Sequence, residues 1–236
     1  MPSPRAPAFV PGDDVAANLA HVRRRIAAAA AGVGRRPSDV ALVAVSKNQP
    51  AVRVAAALQD GQRAFGENQV QEAQAKWPAL RARFPDITLH LLGPLQTNKV
   101  KAAVATFDVI QTLDRPKLAH ALAAELAASG KRPPCFIEVN IGEEPQKAGV
   151  LPAELPQFLE LCQAELNLPV VGLMCIPPLG EIPAPHFALL AKLADRHRLA
   201  ERSMGMSGDY EDAVTLGATI VRVGTAIFGE RAPKAG

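Results

Sequence analysis

Ala41-Leu-Val-Ala-Val-Ser-Lys47 is a short apolar run that ends in a lysine. A run of this length, bounded by charge and proline, is typical of a buried strand. Lys47 then lies where the strand leaves the core, and desolvation there lowers the pKa of an amine. Such a lysine can form a Schiff base with a carbonyl compound. Taken alone, the stretch favours a lysine that merely ends a strand and faces solvent. The choice between this interpretation and a Schiff-base lysine depends on the rest of the chain.

Similar strand-like runs recur along the chain, and helical patterns separate them. The strand-like runs span 41–47, 64–67, 87–92, 108–113, 135–141, 170–176, 203–206 and 219–227. The helical patterns span 51–60, 68–84, 97–105, 115–129, 153–166, 184–201 and 209–217. Eight strands that alternate with helices predict an α/β fold, a (β/α)8 TIM-type barrel. An open doubly wound sheet uses the same local units and remains the alternative.

One extra helix precedes the barrel pattern. Asp13 or Asp14 can cap this helix. Its apolar stripe, at three- and four-residue spacing, consists of Val15, Leu19, Val22 and Ile26. Residues 1–12 contain four prolines and little periodicity, which predicts a mobile tail. We therefore predict one domain over residues 13–230, followed by a short C-terminal tail at 231–236.

Composition excludes several classes of protein. The 236 residues carry a net charge of +3 with acidic and basic side chains interspersed, which argues against nucleic-acid binding. No apolar run is long enough to cross a membrane. The three cysteines are widely spaced and form no CxxC pair or metal-ligand pattern, which indicates small core residues in a reducing compartment. We expect a cytoplasmic protein that binds no metal.

Polar residues collect at the predicted carboxyl ends of the strands, where barrel enzymes place their active sites. They include Lys47, Asn68, His90, Asp114, Glu138 and Asn140. Strand ends collect polar loop residues in any α/β protein, so each residue alone is weak evidence. Their coincidence at successive strand ends indicates a site.

Two loops rich in small residues follow the last two strands. Ser203-Met-Gly-Met-Ser-Gly-Asp209 comes just before a helix, and Val223-Gly-Thr-Ala-Ile-Phe-Gly229 forms a second turn. Ser207 and the backbone amides after it can hold a phosphate, and barrels commonly bind phosphate with these two loops. The alternative is that the glycines serve tight turns only and that Asp209 caps the helix.

Arg222 interrupts the apolar strand Thr219-Ile-Val-Arg-Val-Gly-Thr225. Period-two alternation places Arg222 and Gly224 on one face and the two valines on the other. The valines suit the helix layer, so the arginine points into the barrel. A buried guanidinium stays charged and needs a partner, which is either a ligand or an interior carboxylate such as Glu138.

A lysine amine, a phosphate loop pair and an inward arginine together suggest a phosphorylated aldehyde. Pyridoxal 5′-phosphate (PLP) matches, with its aldehyde at Lys47, its phosphate at the last two loops and its ring nitrogen near Arg222. An arginine at that nitrogen disfavours ring protonation, which makes the ring a poorer electron sink than one paired with aspartate.

From about Val40 to Gly229, the sequence resembles the pyridoxal-phosphate homeostasis protein family, single-domain relatives of the barrel half of alanine racemase. The resemblance rests on Ala44-Val-Ser-Lys47, Phe65-Gly-Glu-Asn68 with Val70-Gln-Glu72, His90 with Gly93-Pro-Leu-Gln-Thr-Asn-Lys99, Asn140 to Lys147-Ala-Gly149, Gly172-Leu-Met-Cys-Ile-Pro-Pro178, Ser203-Met-Gly-Met-Ser207 and Arg222-Val-Gly-Thr-Ala-Ile-Phe-Gly229. So many ordered blocks are specific to the family. Gln69 stands where a tyrosine is usual, and Leu89 and Leu91 replace aromatic residues expected around His90.

The resemblance implies roles for individual residues. Lys47 is the implied Schiff-base lysine, and Arg222 approaches the ring nitrogen. Ser207, Gly224 and Thr225 hold the phosphate, and Asn68 and Met206 line the pocket. The full set predicted to bind the cofactor is Lys47, Asn68, His90, Met206, Ser207, Gly208, Arg222, Gly224 and Thr225.

The resemblance also implies a function: holding PLP, keeping the free aldehyde scarce and supplying the cofactor to apo-enzymes. A weakly active amino-acid racemase is the alternative, although racemisation needs an acid/base group on each face of the substrate. The only tyrosine, Tyr210, lies at a predicted helix start. A Schiff-base aldolase with Lys47 attacking a sugar ketone is a third possibility. We expect a non-enzymatic carrier that is a monomer.

Overall fold

The structure is a computed structural model, and it describes residues 14–229. The tails predicted at residues 1–12 and 231–236 lie outside this range. Within the described range, the strands are β1 (Ala41–Val45), β2 (Ala64–Glu67), β3 (Thr88–Leu91), β4 (Val109–Leu113), β5 (Cys135–Val139), β6 (Val170–Cys175), β7 (Glu201–Ser203) and β8 (Ile220–Val223). Each strand pairs in parallel with the next, and β8 pairs with β1. The barrel is closed, so the predicted fold is confirmed and the open sheet is excluded.

Helices follow the strands as the sequence pattern predicts. They are α1 (Val15–Gly32), α2 (Ala51–Gln59), α3 (Val70–Arg83), α4 (Val100–Thr106), α5 (Pro116–Ser129), α6 (Leu155–Glu160), α7 (Pro183–Arg196), α8 (Tyr210–Thr215) and α9 (Thr225–Phe228). A turn of π-helix, Leu161–Glu165, extends α6. No helix within residues 14–229 is long and apolar enough to cross a bilayer.

Helix α1 is the predicted extra helix, and it packs outside the barrel. The Asp14 carboxylate caps it by accepting from the amides of Ala16 and Ala17 at 2.9 and 3.1 Å. Its buried face carries the predicted apolar stripe. The helix packs against α2, α8 and α9. Arg25 also forms a two-bond ion pair with Glu211 of α8, so the extra helix braces the segment after β7.

The core has two layers because successive strand residues point to opposite faces. The inner layer fills the barrel with Val43, Val109, Phe136, Met174 and Ile220. The outer layer lies between the strands and the helices and contains most other buried apolar side chains. Val43 points inward in β1, and the same alternation directs Val45 and Lys47 toward the barrel mouth.

Four strands, β1, β5, β7 and β8, end two or more residues earlier than predicted, and the difference is largest at β7 and β8. The pattern at 203–206 predicted a strand, but β7 ends at Ser203 because Gly205 adopts a left-handed φ of +94°. The run at 219–227 predicted one long strand, but β8 ends at Val223 and residues 225–228 form a helical turn. The Asn18 side chain of α1 donates to the Ile227 carbonyl of this turn at 2.9 Å, a long-range contact that the local sequence does not indicate.

Candidate functional site

A cavity of about 260 Å³ opens at the carboxyl ends of the strands. Eight of the nine predicted site residues line it: Lys47, Asn68, Met206, Ser207, Gly208, Arg222, Gly224 and Thr225. Gln49, Leu92 and Ile176 also line it, and the sequence analysis did not assign them to the site. Residues from β1, β2, β7, β8 and their loops therefore meet in one place, as a barrel requires.

A larger groove of about 770 Å³ lies at the opposite end of the barrel, and it contains none of the predicted site residues. Its basic side chains already have partners within the protein. Arg81 pairs with Asp108, and the Lys131 ammonium donates to the Ala105 carbonyl at 3.2 Å. We therefore take the smaller cavity, which eight of the predicted site residues line, as the candidate functional site.

Lys47 reaches the cavity from a short segment beyond β1. The strand was predicted to end at Lys47 but ends at Val45, and the Ser46 amide continues the pairing by donating to the Gly66 carbonyl at 2.9 Å. Asn48 follows with a left-handed φ of +59°. The turn at Asn48 leaves Lys47 half-buried at the mouth of the barrel.

A polar cluster lies between this segment and helix α3. The Glu67 carboxylate is fully buried, and its Oε1 accepts from the Ser46 hydroxyl at 2.8 Å and from the Trp77 indole at 3.1 Å. The Lys76 ammonium donates to the same oxygen at 3.0 Å. Burial raises the pKa of Glu67, and the positive charge of Lys76 opposes that rise. The sequence analysis quoted Glu67 and Glu72 only as motif letters and missed Lys76, although Glu72 and Lys76 have the i,i+4 spacing of a helical ion pair.

The loops after β7 and β8 form one unit. The Ala226 amide, at the start of α9, donates to the Ser207 hydroxyl at 3.2 Å. Before it, the Met206 amide donates to the Asp209 carboxylate at 2.5 Å and the Tyr210 amide to the Met206 carbonyl at 2.9 Å. The predicted phosphate-binding pair of loops is thus brought together, with hydroxyls and amides at the cavity wall.

Gly224 shows that the wall between these loops and β1 is tight. A Cβ atom at this position would lie 3.2 Å from the Val45 carbonyl oxygen and 3.3 Å from the Val45 Cβ. At Gly208 a Cβ would meet nothing within 4 Å. A missing side chain therefore matters at Gly224, because it allows the close approach of this loop to Val45 of β1.

Arg222 lies inside the barrel, as its alternation predicts, and is only 5% exposed. Its Nη1 donates to the Ser203 hydroxyl and its Nη2 to the Cys175 carbonyl, both at 2.8 Å. Among residues 14–229, no carboxylate forms an ion pair with it, so the alternative of an ion pair with Glu138 is not observed. The guanidinium is held by neutral groups and still lines the cavity.

His90 lies outside the lining of the cavity, unlike the other predicted site residues. It is buried in the barrel, and burial lowers its pKa to about 4. The Gln111 amide donates to its Nδ1 at 2.9 Å, which leaves the proton of the neutral ring on Nε2. The Gln111 carbonyl accepts from Ser203 at 2.6 Å. His90 therefore reaches Arg222 only through a relay of neutral hydrogen bonds.

The three departures from the family pattern also lie away from the cavity. Gln69 is exposed at the start of α3, and its side chain forms no cap. Leu89 and Leu91 are fully buried in the outer core layer, on the opposite face of β3 from His90. None of the three lines the cavity.

Known proteins resemble this chain in both sequence and structure. The family model for the N-terminal domain of alanine racemase matches residues 17–232. The pyridoxal phosphate homeostasis protein of Vibrio cholerae is 40% identical over 225 residues, which cover 91% of this chain and 95% of that protein. The protein of the same name from Escherichia coli is 39% identical over 229 residues, covering 93% and 97%.

Solved structures agree with the sequence relatives. The structure of PipY of Synechococcus elongatus with PLP bound is 41% identical in sequence to this chain. It superposes with a TM-score of 0.76, and the match covers 91% of this chain and all of the PipY chain. Alanine racemase of Clostridium difficile is 15% identical, with a TM-score of 0.69 over 98% of this chain and 61% of the racemase, and it supports the fold alone. This chain belongs to the pyridoxal phosphate homeostasis protein family, built on the barrel of the alanine racemase N-terminal domain.

Proposed function

We propose that this protein binds pyridoxal 5′-phosphate covalently through Lys47 and serves intracellular PLP homeostasis. The observation that carries the proposal is the meeting of Lys47, Arg222 and the two joined small-residue loops in one cavity. PipY, 41% identical, has been solved with PLP bound. Lys47 would hold the cofactor through its amine nitrogen, which would take the place of the aldehyde oxygen with loss of water. When bound, the cofactor supplies an aldehyde and an electron-accepting ring.

The donors in the cavity fit the groups of this cofactor. Ser207 and Thr225 offer hydroxyls to a phosphate, and Gly224 lines the cavity beside them. Arg222 directs a permanent positive charge at the site, and a guanidinium donates hydrogen bonds but cannot accept a proton. Beside a ring nitrogen it keeps that nitrogen unprotonated. Such a ring withdraws electrons weakly, which suits storage better than catalysis.

The same features support a carrier rather than an efficient racemase. Two-sided proton transfer needs an acid/base group opposite Lys47. Tyr210 does not line the cavity, and its buried side chain lies in the outer core beside Arg25 of α1. Burial raises its pKa to about 12. The proposed role is to hold PLP and supply it to apo-enzymes, with racemisation at most a slow side reaction.

The proposal extends to the setting in which the protein acts. The three cysteines are buried and free, which suits a reducing compartment, and we place the protein in the cytoplasm. We further propose that it acts as a monomer.

The test is an absorbance spectrum of the purified protein before and after borohydride, with mass mapping of the reduced peptide. We expect a visible band that bleaches and a stable adduct on Lys47. Lys47→Ala should remove the band while the protein keeps its melting temperature within a few degrees, because a half-buried residue beyond the strand contributes little packing. A visible spectrum unchanged in Lys47→Ala would refute attachment at this residue. A racemase assay of the loaded protein then separates carrier from enzyme.

A further inference from the structure

Lys47 lies beyond the regular part of β1, in a segment whose last backbone bond to the next strand is the one from the Ser46 amide to the Gly66 carbonyl. It lies two residues beyond the end of β1, and Asn48 after it adopts a left-handed conformation that non-glycine residues rarely occupy. A reactive amine on such a segment needs its backbone fixed from elsewhere, since a misplacement of about 1 Å can cost about a hundredfold in rate.

Helix α3 supplies that support on both sides of Lys47. The Lys76 ammonium donates to the Ser46 carbonyl, the acceptor just before Lys47, at 2.8 Å. The Glu72 carboxylate accepts from the Asn48 amide, the donor just after Lys47, at 2.6 Å. Glu72 and Lys76 also bind each other at 2.7 Å. One ion pair therefore holds the two peptide groups that flank the lysine.

Glu67 at the end of β2 anchors this ion pair. Its carboxylate accepts from Lys76 and from the Ser46 hydroxyl. The three acceptors of Lys76 are thus Ser46, Glu67 and Glu72, one for each proton of the ammonium. The Lys76 and Glu67 side chains are 9% and 0% exposed. All three protons of the Lys76 ammonium are therefore directed at acceptors.

We propose that Glu72 and Lys76, named here the α3 clamp, are positioning residues that orient Lys47 for attachment to the aldehyde of PLP. A buried ion pair contributes little net stability, because desolvation offsets its attraction, so stability alone does not account for it. The contacts of the ion pair to the two peptide groups that flank Lys47 do account for its presence. The inference rests on the proposed function, since it assigns the clamp to the lysine that attaches the cofactor.

The experiment compares two ligands that share the phosphate and the ring. Pyridoxal 5′-phosphate carries the aldehyde, whereas pyridoxine 5′-phosphate carries an alcohol and cannot attach to Lys47. Two quantities are measured for wild type, Glu72→Ala, Glu72→Gln and Lys76→Met. They are the dissociation constant of each ligand and the rate of PLP attachment by stopped-flow absorbance. The matched control is Arg81→Met, which breaks the ion pair of the same helix with Asp108 at the far end of the barrel.

We expect Glu72→Ala to slow attachment and weaken PLP binding about tenfold, with pyridoxine phosphate affinity changed less than twofold. Glu72→Gln keeps an acceptor for the Asn48 amide and should restore most of the loss. Lys76→Met should match or exceed Glu72→Ala, and Arg81→Met should change neither ligand. The Glu72 side chain is 20% exposed, so the Glu72 variants should fold. They provide the test even if Lys76→Met does not fold.

Two results would overturn the inference. Equal losses for both ligands would mean that the clamp only supports the cavity as a whole. Unchanged attachment in Glu72→Ala would mean that Lys47 needs no support from α3, while the proposed function stands. If the wild type attaches no PLP at all, the proposed function is wrong, and so is the role assigned to the α3 clamp.

Discussion

Removal of the Ser203 hydroxyl should destabilise the protein far more than a serine substitution normally does. Ser203 is fully buried, donates to the Gln111 carbonyl at 2.6 Å and accepts from Arg222 at 2.8 Å. Ser203→Ala leaves a buried amide oxygen and a buried guanidinium N–H without these partners. Each unsatisfied group costs roughly 1–3 kcal/mol, so we expect a loss of about 3 kcal/mol in the free energy of unfolding. That is a large part of the 5–15 kcal/mol typical of a domain.

The assay is equilibrium unfolding in urea of the protein without ligand, with the free energy taken by linear extrapolation. Ser129→Ala is the control, because its hydroxyl donates to the Glu125 carbonyl at 2.8 Å but is exposed at the end of α5. We expect the control to lose less than about 0.5 kcal/mol. A Ser203→Ala loss within about 0.5 kcal/mol of the control, with an unchanged m value, would refute the assignment of a relay that holds Arg222.

Two further predictions concern the cavity wall and the barrel interior. Gly224→Ala should weaken PLP binding about tenfold by equilibrium titration, because its Cβ would press on Val45, whereas Gly208→Ala has open space and should stay within twofold of wild type. Burial, together with the negative charge of Asp114, raises the pKa of Glu138 from 4.5 to about 7. The free energy of unfolding of the wild type therefore falls as pH rises between these two values, because the unfolded protein ionises Glu138 more readily than the folded protein does. Glu138→Gln removes this pH dependence. In urea unfolding, the free energy of unfolding of the variant relative to that of the wild type should rise by about 3 kcal/mol from pH 4.5 to pH 7.5, at 1.36 kcal/mol per pKa unit. A difference independent of pH would contradict the raised pKa.

Local patterns in the sequence were enough to predict the architecture. Side-chain alternation in strands and the 3.6-residue period in helices are set by backbone geometry, so the eight strands and the seven helices between them could be recognised one at a time. The same alternation predicted that Arg222 points inward, and the structure confirms this. Because parallel strands end together in a barrel, their polar end residues could be predicted to meet.

The sequence pattern could not predict the ends of four strands or the depth of His90. The composition of residues 225–228 favours a strand, yet the contact from Asn18 to Ile227 joins residues 209 apart and accompanies a helical turn there. His90 and Lys47 both belong to inward-facing positions, but only Lys47 reaches the cavity lining. Alternation gives the face of a residue and not its height in the barrel, which depends on the stagger of the closed sheet.

What the sequence by itself determined is therefore the fold class, the inward orientation of Arg222 and a set of nine site residues, eight of which line the cavity. Only the tertiary structure decided which groups hold those residues in place. Arg222 is held through Ser203, and the segment of Lys47 through Glu72 and Lys76. The physical reason is that periodicity records local backbone geometry, whereas these hydrogen bonds join side chains and peptide groups that come together only when the barrel closes.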